Sequence, residues 1–214
     1  RSVQRVAEAK LKEAMEKYGA LEGSVVIMDP HTGGILGMAS YPNYDPSRYT
    51  EFTPEQYVNP VVGKTFEPGS TFKTLVMAAA INEGVVNSDT TMEETGPVQI
   101  GEYRIRTWND TYHGTLTMTQ VLEKSSNVGM VFVANKLGKE KMVRYLRDFG
   151  FGEKTGIDLQ DEISPEIRDE SEWKPIDLAT ASFGQGIAVT PIQMIRAVAA
   201  IANGGRLVQP RIVK

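Results

Sequence analysis

Ser70 and Lys73 are the residues of this 214-residue chain whose types and spacing point most directly to chemistry. Residues three apart on a helix share a face, so the Lys73 amine can reach the Ser70 hydroxyl. A serine hydroxyl is a weak nucleophile at neutral pH and needs an adjacent base. A lysine can be that base when burial or a neighbouring cation lowers its pKa. The surrounding string, Glu67-Pro68-Gly69-Ser70-Thr71-Phe72-Lys73, reads as a turn at Pro68-Gly69 followed by a helix over Ser70–Asn82, ended by Gly84. Ser70 would then sit at a helix N-terminus, where backbone N–H groups can stabilise an oxyanion. Phe72, Leu75, Val76, Ala79 and Ala80 give the same segment an apolar face at helical spacing, which predicts a buried, rigid helix.

The elements that must hold this pair are legible around it. Val3, Val6, Ala7, Leu11, Ala14, Met15 and Tyr18 recur at helical spacing, with Gly19 as a C-cap. Residues 24–28 and 35–39 read as strands joined by the turn Asp29-Pro30-His31-Thr32-Gly33-Gly34, with His31 as an exposed turn residue. Residues 41–66 read as a long surface loop, and residues 95–106 as short strands. Helices follow over 118–124, 128–137, 139–149, 175–181 and 191–203, and residues 207–213 as a terminal strand. Strand signals gather at the two ends and helices in the middle. We therefore expect an α/β (α+β) fold: a sheet-bearing part over about 1–66 and 190–214, and a mostly helical part over about 70–190.

Composition narrows the function. With 23 basic and 27 acidic residues the net charge is −4, which gives no electrostatic case for nucleic acid. Cysteine is absent, so disulfides and thiolate metal sites are excluded. His31 and His113, the two histidines, are far apart in sequence, which disfavours a Ser-His-Asp triad or a multi-histidine metal centre. No run approaches the roughly 20 apolar residues that span a bilayer. The opening at Arg1, inside a helical pattern, leads us to expect a piece of a longer protein.

A second cluster, Ser125-Ser126-Asn127, lies between two helical runs and would by itself read as a helix cap. Together with Ser70-x-x-Lys73 it completes two elements of a known three-part signature. Glu67 to Lys73, Ser125-Ser126-Asn127-Val128-Gly129, Phe149-Gly150-Phe151-Gly152, Thr155-Gly156-Ile157-Asp158-Leu159, Phe183-Gly184-Gln185-Gly186 and Ala202-Asn203-Gly204-Gly205 occur in an order that resembles class B penicillin-binding proteins. The resemblance covers nearly the whole chain and leans towards the septal, cell-division branch. It implies a β-lactamase/transpeptidase-like fold, an antiparallel sheet flanked by helices plus a helical subdomain, here without its final strands. It also implies a D,D-transpeptidase that cross-links peptidoglycan stem peptides through a serine acyl-enzyme and is acylated by β-lactam antibiotics. By the same resemblance Ser70 is the nucleophile, Lys73 its base, Ser125 the proton relay to the leaving amine, and Asn127 the residue that orients Lys73 and holds the substrate amide. Trp108 and Tyr112-His113-Gly114, which precede the Ser125 element, read equally as cleft-lining or as packing residues. A glycosyltransferase and other cell-wall synthesis proteins are the implied partners, and the resemblance implies no metal or organic cofactor. The implied location is the outer face of the bacterial cell membrane.

The third element departs from the pattern. Lys154-Thr155-Gly156 has its letters but falls in the 149–159 segment, where the resemblance implies a structural connection in the helical half. The family's own Lys-Thr/Ser-Gly strand lies beyond the Ala-Asn-Gly-Gly segment, so we expect residues 1–214 to be an incomplete and catalytically impaired part of the domain. Glu162 and Glu166 read as solvated loop carboxylates rather than deacylating acids, and Glu67 as a loop acid or helix N-terminal charge. Two other readings stay open: a β-lactam hydrolase or sensor of the same fold, and an inert binding or assembly module.

Overall fold

The computed structural model describes residues 2–213 and divides them into two compact units. The first comprises residues up to 66 together with 149–165 and 189 onwards; the second comprises 67–148 and 166–188.

In the first unit, helix α1 (Ser2–Tyr18) packs on an antiparallel pair, β1 (Gly23–Met28) and β2 (Ile35–Tyr41). The buried stripe of α1 is Ala7, Leu11 and Met15, spaced four apart, and it meets Val25, Ile27 and Ala39. Val3, Val6 and Tyr18, which the periodicity also placed on that face, are exposed. Val26 points to the opposite face of β1 and joins a second cluster of Val61, Val62, Ile157 and Ile192. A register shift between Ile27 and Met28 changes the side-chain alternation of β2. Ile35 therefore shares that second cluster with Met38, and Leu36 is left exposed.

The β1–β2 turn forms as the residues dictate. Asp29 Oδ1 accepts from the His31 N–H at 2.9 Å and Asp29 Oδ2 from Thr32 Oγ1 at 2.8 Å. These bonds hold the Asp29 carboxyl below its usual pKa, the His31 N–H contributing most.

Residues 41–66 are not the featureless surface loop expected. They contain a 3₁₀ segment (Pro46–Glu51) and two short helices, α2 (Pro54–Tyr57) and α3 (Pro60–Gly63), each with proline in its first turn. Val61 and Val62 are fully buried. The last helix of this unit, called α9 below (Pro191–Ala202), begins at Thr190, whose side chain forms a capping box with Gln193.

The terminal strand expected at 207–213 is replaced by a tethered coil. Arg211 makes one parallel bridge to Gly34, and the N–H groups of Ile212 and Val213 donate to Asp158 at 2.7 and 2.9 Å. The 149–165 segment also departs from expectation, because it packs in this sheet-bearing unit through Ile157 rather than in the helical part.

The second unit is built on α4 (Lys73–Asn82) and, along the chain, four short strands: β3 (Thr91–Glu94), β4 (Val98–Ile100), β5 (Tyr103–Ile105) and β6 (Gly114–Thr117). Strands β3 and β6 pair antiparallel, as do β4 and β5. Helices α5 (Met118–Glu123), α6 (Asn127–Leu137), α7 (Lys139–Asp148) and α8 (Pro175–Ala181) complete it. Helix α6 buries Val128, Met130, Val131, Val133, Ala134 and Leu137 between α4, α5, α7 and α8, which explains its largely apolar sequence, with Asn135 and Lys136 exposed near its end. Lys141, Arg144 and Tyr145 of α7 converge on Glu83 at the end of α4, holding its carboxyl down to about 2, with the Lys141 bond the largest cause.

Candidate active site

Ser70 lies in a 3₁₀ turn, Gly69–Phe72, that runs straight into α4, so the expected single helix is two helical segments in series. The turn is held from two directions. The Gly69 N–H donates to the Gly184 carbonyl at 2.9 Å, and Glu67 Oε1 accepts from the Gly186 N–H at 2.9 Å. The Phe183-Gly184-Gln185-Gly186 run is therefore the cradle of the serine turn. Gly184 has φ +74°, and a Cβ there would stand 2.3 Å from the Gly69 carbonyl oxygen. Glu67 is thus a structural tie, consistent with its reading as a loop acid.

Ser70 itself is exposed, while Lys73, at the start of α4, is 2 % exposed. Burial lowers the Lys73 ammonium from its usual 10.5 to about 8. Its Nζ donates to the Ser125 carbonyl at 2.6 Å, to Asn127 Oδ1 at 2.8 Å and to Ser125 Oγ at 3.0 Å. An ammonium has three protons, and these three acceptors match them. The Asn127 amide is oriented by its other end, since Nδ2 donates to the Arg106 carbonyl at 3.0 Å.

Local backbone geometry explains how one tripeptide supplies three acceptors. Helix α5 ends in a Schellman motif: the Ser126 N–H donates to the Val121 carbonyl at 2.9 Å and the Ser125 N–H to that of Leu122 at 3.0 Å. That motif puts Ser125 in the left-handed region, with φ +52°, at a position where glycine is usual. Ser126 then caps α6 by accepting from the Gly129 N–H at 2.8 Å. Gly129 permits the close approach of the two helices, since a Cβ there would meet both methyl groups of Val121 at 2.6 Å. The cap reading and the site reading of Ser125-Ser126-Asn127 are both right, for different residues. The middle serine caps, and its neighbours hold Lys73.

Trp108 is 78 % exposed on the loop between Arg106 and His113. Lys154-Thr155-Gly156 is on no strand. The Thr155 N–H and Oγ1 donate to Glu162 Oε1 at 2.7 and 2.5 Å, and the Gly156 N–H to Glu162 Oε2 at 3.1 Å. Glu162 is buried, which corrects its reading as a solvated carboxylate; Glu166 is exposed. A cavity of about 540 Å³ within the first unit, lined by Tyr41, Pro42, Val58, Phe66 and Pro191 among others, includes none of Ser70, Lys73, Ser125 and Asn127. Sequence reasoning missed Gly184 and Gly186 as supports of the serine turn, and it missed Glu94, a carboxylate buried beneath Ser126. The Phe-Gly-Gln-Gly motif was a signal for the first two; the one hint of Glu94 was the alternating pattern of its strand.

An exposed serine one turn from a buried lysine, whose cation rests on a second serine and an asparagine, is the layout of acyl-transfer enzymes that use lysine beside a serine nucleophile. The comparisons agree with that class. A family model described as the penicillin-binding protein transpeptidase domain matches residues 23–214, and the chain belongs to that family. It is 42 % identical over 214 residues to stage V sporulation protein D of Bacillus subtilis, covering 99 % of this chain and 33 % of that protein. It is 34 % identical over 216 residues to penicillin-binding protein PbpB of Mycolicibacterium smegmatis, again 99 % and 33 %. These relatives are class B penicillin-binding proteins. Among solved structures, penicillin-binding protein 3 of Mycobacterium tuberculosis, complexed with aztreonam, superposes with a TM-score of 0.90 at 33 % identity, over 100 % of this chain and 48 % of that one. A peptidoglycan glycosyltransferase from Burkholderia ambifaria gives 0.89 at 30 % identity, over 100 % and 63 %. The chain spans about a third of the length of the curated relatives it matches.

Proposed function

We propose that this chain carries the acylation machinery of a D,D-transpeptidase that cross-links peptidoglycan stem peptides. The observation that carries the reading is the convergence of Ser125 O, Ser125 Oγ and Asn127 Oδ1 on the buried Lys73 Nζ. Neutral Lys73 takes the Ser70 proton as Oγ attacks the carbonyl between two terminal D-alanines. The C–N bond breaks, and Ser125 Oγ, hydrogen-bonded to the lysine now holding the proton, passes it to the departing D-alanine amine. An amine from a neighbouring stem then attacks the Ser70 ester, the same groups return the proton, and Ser70 is released as the cross-link forms. Asn127, fixed by Arg106, holds Lys73 and presents its amide to the substrate backbone. Trp108, on the loop that Asn127 anchors, offers an aromatic face to the stem peptide.

A β-lactam acylates the same oxygen by opening its ring in place of the D-alanyl bond. The aztreonam complex of the Mycobacterium relative supports this. Similarity to proteins named FtsI homologues supports the cell-division branch. A glycosyltransferase is the fitting partner, and the outer face of the cell membrane the fitting location. No helix among the described residues is long and apolar enough to cross a membrane.

The test uses the full-length protein with a synthetic pentapeptide ending in D-alanyl-D-alanine and an acceptor amine. D-alanine release with transfer to the amine, both abolished in Ser70→Ala, is expected. Catalytic turnover of penicillin to penicilloic acid without transfer would make the protein a hydrolase instead. Release that survives Ser70→Ala would refute the assignment.

A further inference from the structure

Glu94, at the end of β3, is 0 % exposed and has no part in the mechanism above. One carboxylate oxygen accepts from the Ser126 hydroxyl. The other accepts from the His113 N–H at 3.2 Å and lies 3.1 Å from His113 Nδ1. A buried carboxylate carries a desolvation cost that an apolar side chain at a strand end would not. What this one obtains in return is geometric. Ser126 has a single hydroxyl proton, and giving it to Glu94 leaves an oxygen lone pair for the Gly129 N–H at 2.8 Å. The hydroxyl is thereby fixed between strand and helix. Its two chain neighbours, Ser125 and Asn127, are the residues bonded to Lys73 Nζ. Glu94 also holds His113 at one end of the Arg106–His113 loop, whose other end is held by Asn127 through the Arg106 carbonyl.

We propose that Glu94 is a positioning residue for acyl transfer: through Ser126 it sets Ser125 Oγ and Asn127 Oδ1 against Lys73. The proposal rests on the reading of Ser70 and Lys73 given above. It predicts that losing the carboxylate slows chemistry without reducing the number of competent sites, because a displacement of about 1 Å in such groups can cost on the order of 100-fold.

The experiment is rapid-mixing acylation of the full-length protein by a chromogenic β-lactam, separating the affinity of the initial complex, the acylation rate constant and the burst stoichiometry. Glu94→Ala should lower the rate constant about 10- to 100-fold, with one acyl group per chain still formed and initial affinity within about twofold. Ser126→Ala, which removes the same clamp from the helix side, should shift the rate constant in the same direction. It serves as the deciding variant if Glu94→Ala does not fold. Wild-type rate constants in the folded variants would overturn the proposal. So would a reduced burst in which the remaining sites react at the wild-type rate, the signature of a structural role alone. Failure of the wild-type protein to be acylated, or acylation that survives Ser70→Ala, would instead remove the underlying reading and this proposal with it.

Discussion

Lys73 is held in a compromise that its surroundings make readable. Burial disfavours its charged form and brings it to about 8, while three acceptors still match its protons. If the neutral amine is the base, about a tenth of the enzyme is competent at pH 7, and acylation should rise roughly tenfold between pH 7 and pH 9. A rate of fluorescent-penicillin acylation that stays flat across that range, in protein that remains folded, would rule out Lys73 as base. Lys73→Ala should lower acylation by at least about 100-fold. Ser125 makes a second residue-scale test, because it pays backbone strain at φ +52° to place its hydroxyl. Ser125→Gly should slow acylation while leaving stability within about 1 kcal/mol of wild type, because relief of the left-handed backbone offsets the loss of one acceptor of the buried Lys73 cation. A variant that is both less stable and equally active would contradict that account. Ser70-x-x-Lys73 could be read directly from the chain because i and i+3 on a helix are neighbours. The left-handed Ser125 could not, because only the Schellman ending of α5 requires it.

At the scale of elements, most helices were visible in the sequence because they carry their own boundaries. Proline opens α8 and α9, and Thr117 and Thr190 form capping boxes. What escaped were segments whose structure depends on distant partners. The buried α3 needs Ile157 and Ile192, and residues 211–213 are held by Gly34 and Asp158 rather than by a strand ladder. The Lys154-Thr155-Gly156 segment belongs with these. Its hydroxyl and N–H groups are taken up by Glu162, so Lys154→Ala should leave acylation within about twofold of wild type. Glu162→Ala should cost about 3 kcal/mol in denaturant unfolding, since it orphans bonds to a charged acceptor. A large acylation defect in Lys154→Ala would restore that triplet to the catalytic list. Gly184→Ala tests the cradle of the serine turn. The left-handed backbone alone costs about 1–2 kcal/mol, and the contact with Gly69 should displace Ser70 and slow acylation as well.

For the whole molecule, the α/β class and the penicillin-binding family were legible in the sequence because several short motifs recur in order. The structure gives physical reasons for them beyond the four site residues. Asn203 ties its helix end to the β1–β2 turn through the Pro30 carbonyl, Asp158 pins residues 212 and 213, and Gly184 seats the serine turn. The sheet-bearing unit reaches into residues 149–165, which sequence order alone placed among the helices. Every step of the proposed reaction depends on acylation of Ser70 Oγ. Peptide mapping by tandem mass spectrometry, after brief exposure of the full-length protein to a β-lactam, reads that atom directly. One adduct per chain is expected, on the peptide containing Ser70, and none in Ser70→Ala. An adduct confined to any other residue, or no adduct on a folded protein, would contradict it.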